Sequence, residues 1–175
     1  MNRIKIQNKS KREYKNISFI AFILLICILL LFIHNRGKQQ DEKLLNDYSL
    51  YGDTDLLMQE GKNDLAINLL QDLHTKYGND YNITYRLGYA YLNMEQYSSA
   101  LTLYTKTLDL NPYLVENSDF MYQYALVLAN LKQVDNAIIV IDKLLTLPME
   151  ESLKPTVIQL KDTLSNLKGT TSWVD

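Results

Sequence analysis

The sequence has almost no cysteine, histidine or tryptophan, and each shortage removes a class of function. Cys27 is the lone cysteine of 175 residues, so no disulfide framework and no thiolate metal site can form within the chain. The two histidines, His34 and His74, lack the neighbours in sequence that a catalytic triad or a metal site requires. Glycine is sparse, and the Gly61-Lys62 pair has neither the upstream glycine nor the following Ser or Thr of a phosphate-cradling loop. Carboxylates are scattered at no spacing that defines a catalytic pair, and they read as solvated side chains. No catalytic, cofactor-binding or metal-binding residue is expected, and the chain does not read as an enzyme. From Arg36 onward 12 basic side chains face 19 acidic ones, a net of −7 that would repel a nucleic-acid backbone.

Long apolar runs are also scarce, with one exception. Residues 17–33, ISFIAFILLICILLLFI, contain no ionisable side chain but the Cys27 thiol. As a helix they span about 25 Å, enough for a slightly thin hydrocarbon core. A cleaved signal peptide would need small residues at the end of the run, and Leu31-Phe32-Ile33-His34 supplies none. A lipoprotein signal would end its apolar run at the cysteine, whereas Ile28 to Ile33 continue past it. A retained transmembrane helix fits best. Residues 1–16 carry Arg3, Lys5, Lys9, Lys11, Arg12 and Lys15 against Glu13, so this basic tail is expected in the cytoplasm and the remainder outside, in a single-pass cell-membrane protein. The tail also suits an anionic inner leaflet. A polar stalk, 34–46, follows.

Beyond the stalk the apolar residues recur at helical spacing. Residues 81–114 hold the clearest unit: Thr84-x2-Leu87-Gly88-x2-Tyr91, then Ala100-x3-Tyr104, then Pro112. Gly88 and Ala100 are small enough for two helices to approach closely, Tyr91 and Tyr104 fill the space between them, and Pro112 stops the second helix. This spacing resembles the tetratricopeptide repeat, Trp-x2-Leu-Gly-x2-Tyr, Ala-x3-Phe and Pro, without its leading tryptophan. The resemblance implies an all-α fold, an α-α superhelical stack of helix pairs.

Units can be read on both sides. Ala66 lies 34 residues before Ala100, so 47–80 reads as a degenerate first repeat. Its Leu-Gly pair is replaced by Asp53-Thr54, and Gly52 to Asp55 is expected to interrupt the first helix, Asp53 being able to cap a short helix that ends at Gly61. Asn63 or Asp64 can cap the second, ended by Gly78. Tyr124-Ala125, Leu128, Ala137, Ile141 and Pro148 mark a third repeat, 118–151, with Ser118 or Asp119 as its cap and a longer turn before it. Leu153, Val157, Leu160, Leu164 and Leu167 then form one apolar stripe on 152–168, a helix suited to cover the open end of the stack, with Pro155 in its first turn and Gly169 as its stop. Together 47–168 form the repeat domain, and 169–175 a flexible tail whose Trp173 either packs back on the cap or serves as a docking handle.

The resemblance also implies a concave groove lined by the first helix of each repeat. The residues expected there are Tyr48, Tyr51 and Asp55; Asn82, Tyr85, Arg86, Tyr89 and Asn93; and Tyr122, Gln123 and Asn130. Tyrosine offers apolar area with a hydrogen-bonding tip, and asparagine can bond a peptide backbone whatever its sequence. The family's terminal-carboxylate clamp uses several Lys, Arg and Asn residues, which Arg86 and Asn93 match only in part, so that ligand is not expected. The expected function is a membrane-anchored scaffold whose groove binds a partner protein or peptide. The alternative is a structural subunit that forms homo-oligomers or joins one membrane complex, its tyrosines serving packing.

Overall fold

A tight left-handed turn recurs in this molecule, and it sets how successive helices pack. The computed structural model describes residues 2–171, with side chains for 22–168; Trp173 and the side chains of the basic tail lie outside the described residues. The helices are α1 (Asn2–Gln59), α2 (Asn63–Tyr77), α3 (Tyr81–Asn93), α4 (Tyr97–Leu110), α5 (Ser118–Asn130), α6 (Val134–Leu144) and α7 (Leu153–Thr171), with a 3-10 turn, Pro112–Glu116, between α4 and α5. No strand occurs among the described residues.

The chain divides into two units, Met1–Tyr48 and Ser49–Asp175. In the first, α1 is long and apolar enough to cross a membrane by length and composition, with a mean hydropathy of 1.4. Every described side chain from Phe22 to Arg36 is exposed. Leu31 is 69% and Phe22 61% exposed, so this surface forms no protein core.

The second unit begins inside α1, and here one expectation is overturned. Gly52 to Asp55 does not interrupt the helix, which runs on to Gln59, and Asp53 caps nothing because it is interior. A glycine in a helix costs about 1 kcal/mol. Against that, Tyr51 and Met58 pack on the buried cluster of Ile67, Leu70, Leu87 and Ala90, and buried Thr54 returns its hydroxyl proton to the Tyr51 carbonyl at 2.7 Å. Tertiary packing outweighs local propensity.

The helix is closed by a six-residue turn: the Lys62 amide donates to Leu57 O at 2.8 Å, Gly61 to Met58 O at 3.1 Å, and Gly61 sits at φ 75°. The same bonds follow α3, from Gln96 to Tyr91 O and Glu95 to Leu92 O, and α5, from Gln133 to Leu128 O and Lys132 to Ala129 O. Glu95 at φ 57° and Lys132 at φ 59° take the glycine's place. This is the Schellman closure, and it satisfies carbonyls that the helix end leaves open. The chain enters α2, α4 and α6 directly from it, with no side-chain cap on any of the three. The caps expected at Asn63 or Asp64 are therefore absent: both residues already lie inside α2.

First helices are entered differently. Asp80 accepts from the Asn82 amide at 2.8 Å to start α3, and Asn117 accepts from Phe120 at 2.8 Å to start α5. Asn117, rather than Ser118 or Asp119, is the cap, because those two have already joined the helix. The longer connection before α5 is the 3-10 turn, which Pro112 opens after α4 has ended at Leu110.

Close approach decides the α3–α4 contact. A Cβ on Gly88 would lie 3.2 Å from Leu103 Cβ and 3.7 Å from Ala100 O. The larger core joins α4, α5, α6 and α7 through Tyr104, Phe120, Val127, Ile141 and Val157, among others. On α7, Val157 and Leu164 are buried while Leu167 is 52% exposed. Gly169 does not stop α7, which reaches Thr171, since one glycine costs too little to end a helix already several turns long.

Left-handed backbone costs a non-glycine residue roughly 1–2 kcal/mol. Glu95→Gly and Lys132→Gly are each expected to raise the thermal midpoint, by an amount corresponding to about 1 kcal/mol, while Gly61→Ala lowers it. Circular dichroism melts of the detergent-solubilised chain check this; a lowered midpoint for both glycine variants would contradict the assigned turns.

Candidate functional site

The face expected to bind is carried by the end of α1, by α3 and by α5, and the structure sorts its residues into two knots and a remainder. The first knot is centred on Arg86. Its guanidinium reaches Asp55 Oδ2 at 2.9 Å, donates to the Tyr51 carbonyl at 3.2 Å, and lies 4.0 Å from the centre of the Tyr51 ring. Burial raises the Tyr51 phenol above its usual range, and the adjacent guanidinium only partly offsets that. Three residues from two helices thus form one unit.

The second knot is aromatic. Tyr104, wholly buried, stands edge-on to Phe120 with ring centres 5.4 Å apart, and Tyr85 lies 5.9 Å from Tyr104 and 5.5 Å from Phe120. The Tyr104 hydroxyl donates to Gln123 Oε1 at 2.8 Å. Burial pushes both phenols up, Tyr104 the further. A buried hydroxyl without a partner would cost several kcal/mol, about 1–3 by mutational measures. Gln123 is therefore engaged in packing, as is half-buried Tyr85.

The remaining expected residues stand apart from these knots. Asn82, Asn93 and Asn130 are exposed; Asn82 donates its amide to the Asp80 cap, and Asn130 returns its side-chain amide to Leu126 O at 2.8 Å. Tyr89 is half-buried. Half-buried Tyr122 packs against the larger core. Tyr48, 74% exposed, falls in the first unit.

Sequence reasoning missed a polar junction on other faces of the same helices. An open cleft of about 610 Å³ is bordered by Gln71, Asp72, His74, Tyr91 and Thr102 from α2, α3 and α4. Gln71 donates to the Tyr91 hydroxyl at 2.6 Å. His74 has neighbours after all: Thr84 Oγ1 at 3.4 Å from Nδ1, and Lys106 Nζ at 3.3 Å from Nε2. Because the Thr84 hydroxyl already donates to Asp80 O at 2.9 Å, His74 donates from Nδ1 and accepts the Lys106 proton at Nε2. Only the neutral ring can do both. Neither neighbour makes a triad, and among the described residues no group of three His, Cys, Asp or Glu side chains is placed to hold a metal ion. The signal lay in the stack itself, since Lys106 is 32 residues from His74 in sequence.

The fold and this face define a class: the chain is an all-helical tetratricopeptide-like stack. Two tetratricopeptide repeat models match it, over residues 57–112 and 118–147. No curated protein matches. Among solved structures, the chain is similar to the Yersinia enterocolitica type III secretion chaperone SycD in complex with a peptide of the translocator YopD, at 19% identity, covering 69% of this chain and 93% of that one, TM-score 0.59. It is also similar to MamA, at 21% identity, 71% and 69% coverage and TM-score 0.60. A third similar structure is the first repeat domain of Spaghetti bound to the HSP90 peptide SRMEEVD, at 14% identity, 68% and 93% coverage and TM-score 0.58. At these identities the likeness is one of fold.

His74 gives the stack a pH dependence. Burial, then Lys106, lowers its pKa below the ordinary value of 6.5. The unfolded chain therefore binds this proton more readily than the folded one, so the contribution is complete above about pH 6.5 and lost as pH falls below it. His74→Gln is expected to flatten the fall in thermal midpoint between about pH 7 and pH 5 relative to the unsubstituted chain; an unchanged slope would remove His74 from the junction.

Proposed function

We propose that this protein is a membrane-anchored protein–protein interaction module. The observation that carries the reading is the stack of paired helices whose first members turn Asn82, Asn93 and Asn130 to solvent along one series of helices. Side-chain amides so placed can satisfy both donors and acceptors of an extended backbone, and such pairing is indifferent to the partner's side chains. The peptides held by SycD and by Spaghetti support a peptide or protein partner. Catalysis has no part in this reading.

The anchor is α1. Apolar side chains exposed from Phe22 to Ile33 are stable in lipid and unstable in water. Basic residues before that stretch and the net acidic chain after it support a cytoplasmic amino-terminus, with the repeats on the far side of the membrane. The same exposed helix favours a second reading, in which copies of the chain associate through it and the repeats merely pack.

Two measurements separate these. Asn93→Ala with Asn130→Ala removes exposed amides that no knot uses, so it is expected to abolish partner recovery from detergent-solubilised membranes without changing helicity. A cross-linked ladder of this chain alone, unaffected by the double substitution, would favour self-association instead. Protease added outside spheroplasts is expected to digest the repeats and spare the basic tail; complete protection would reverse the orientation.

A further inference from the structure

Helix α2 is held at its two ends by different forces. Ala66, Ile67 and Leu70 are buried in its amino-terminal half, and Ile67 and Leu70 share a cluster with Leu87 and Ala90 of α3. Toward the carboxy-terminal end, where α2 and α4 both border the open cleft, Leu73 is buried and polar bonds take over. Gln71 donates to the Tyr91 hydroxyl at 2.6 Å, and the half-buried His74 ring stands 3.4 Å from Thr84 Oγ1 and 3.3 Å from Lys106 Nζ.

His74 bridges α3 and α4 only as a neutral ring. The Thr84 hydroxyl spends its proton on Asp80 O at 2.9 Å, so Nδ1 donates and Nε2 is left to accept from Lys106. An added proton lands on Nε2, the atom that takes the lysine's bond. Two cations then stand where a donor and an acceptor stood, so the attraction is reversed rather than merely lost. Among the described residues no carboxylate is bonded to the ring to offset this: Asp72 and Lys76 flank it on its own helix, the Asp80 carboxylate is taken by the Asn82 amide, and Asp109 lies three residues past Lys106 on exposed α4 surface. The burial of Ala66, Ile67 and Leu70 involves no titrating group, and α5 and α6 contain no histidine. A helix end freed from its neighbour frays while the packed remainder persists.

We propose that His74 is a proton-operated latch: in acid, residues 71–77 of α2 come away from α4 and widen the cleft lined by Leu87 and Leu103, while the rest of the stack stays folded. The effect of acid is therefore local before it is global, which a melting curve alone does not show.

Hydrogen–deuterium exchange of the full chain in neutral detergent, at pH 7 and pH 5 and corrected for the intrinsic pH dependence of exchange, reads the opening directly. Amides of residues 71–77 are expected to lose protection by at least about tenfold at pH 5, while those of α5 and α6 change by less than about twofold. Onset is expected below about pH 6.5, since burial and Lys106 hold the ring's pKa beneath that value. His74→Gln is expected to abolish the response, because a glutamine amide donates and accepts without titrating. Lys106→Met removes the second cation and is expected to reduce the response to about threefold or less. Equal loss of protection in α5 and α6, no change at residues 71–77, or a full response in His74→Gln would each overturn the latch. Circular dichroism at pH 7 checks that both variants fold, and the contrast between residues 71–77 and α5 with α6 in the unsubstituted chain decides the matter if either does not.

Discussion

The repeat stack depends on the burial of one phenol. Tyr104 fills the space where α3, α4 and α5 meet, and its ring touches Tyr85 from one repeat and Phe120 from the next. A phenylalanine there would supply the same apolar area but no tie across repeats; the hydroxyl, bonded to Gln123 at 2.8 Å, fixes α5 against α4. Because that bond lies out of water, its alternative is an unsatisfied donor, and this asymmetry rather than the bond's net strength gives it authority over geometry. Gly88 is the matching requirement. By letting α4 approach within 3.2 Å of where a Cβ would sit, it brings Tyr104 deep enough to reach the next repeat.

The turns between paired helices follow the same logic at lower cost. Each first helix ends in the same bonded geometry, with Gly61, Glu95 and Lys132 in the left-handed position. They are spaced 34 and 37 residues apart, as are Ala66, Ala100 and Ala137 at the helix crossings. Turn and crossing therefore belong to one repeating unit, and the extra three residues are taken up outside it, where the 3-10 turn leads into α5. Glutamate and lysine tolerate the strained backbone because the six-residue turn and the packing of both helices over-determine it.

These features explain what could be read from the chain and what could not. The crossing residues Gly88, Ala100 and Tyr104 are chemically restrictive, so their spacing exposed the architecture directly. Glu95 and Lys132 are not: neither residue type announces a left-handed turn, and only the bonds reveal it. The break expected at Gly52–Asp55 failed for a related reason, since helix propensity is local while the contacts of Tyr51 and Met58 with the Ile67 cluster are not. The cap of α5 is Asn117 rather than Ser118 or Asp119, and α2 starts after Lys62 with no side-chain cap at all, because polar residues stood side by side at each boundary and spacing could not choose among them. At the candidate face, the series of first-helix residues was legible, but the division of labour within it was not. Sequence spacing could not tell that Arg86, Tyr85 and Gln123 would turn to their own neighbours.

That division bears on function more than the list itself does. A tyrosine-rich face can be a binding surface or the edge of a core, and here Tyr85 and Tyr122 lie at the edge of a core. Tyr51, Tyr85 and Gln123 have internal partners, so truncating them would disturb packing before it disturbed recognition. Asn82, Asn93, Asn130 and Asp119 are exposed, Asn130 with its side-chain amide also bonded to Leu126 O. The residues most conspicuous in the sequence thus build the wall, and the plainer polar ones are left exposed. Once Arg86 is taken by Asp55, what remains exposed on the first helices is amide and carboxylate, and the aromatic side chains between them are held by their own neighbours.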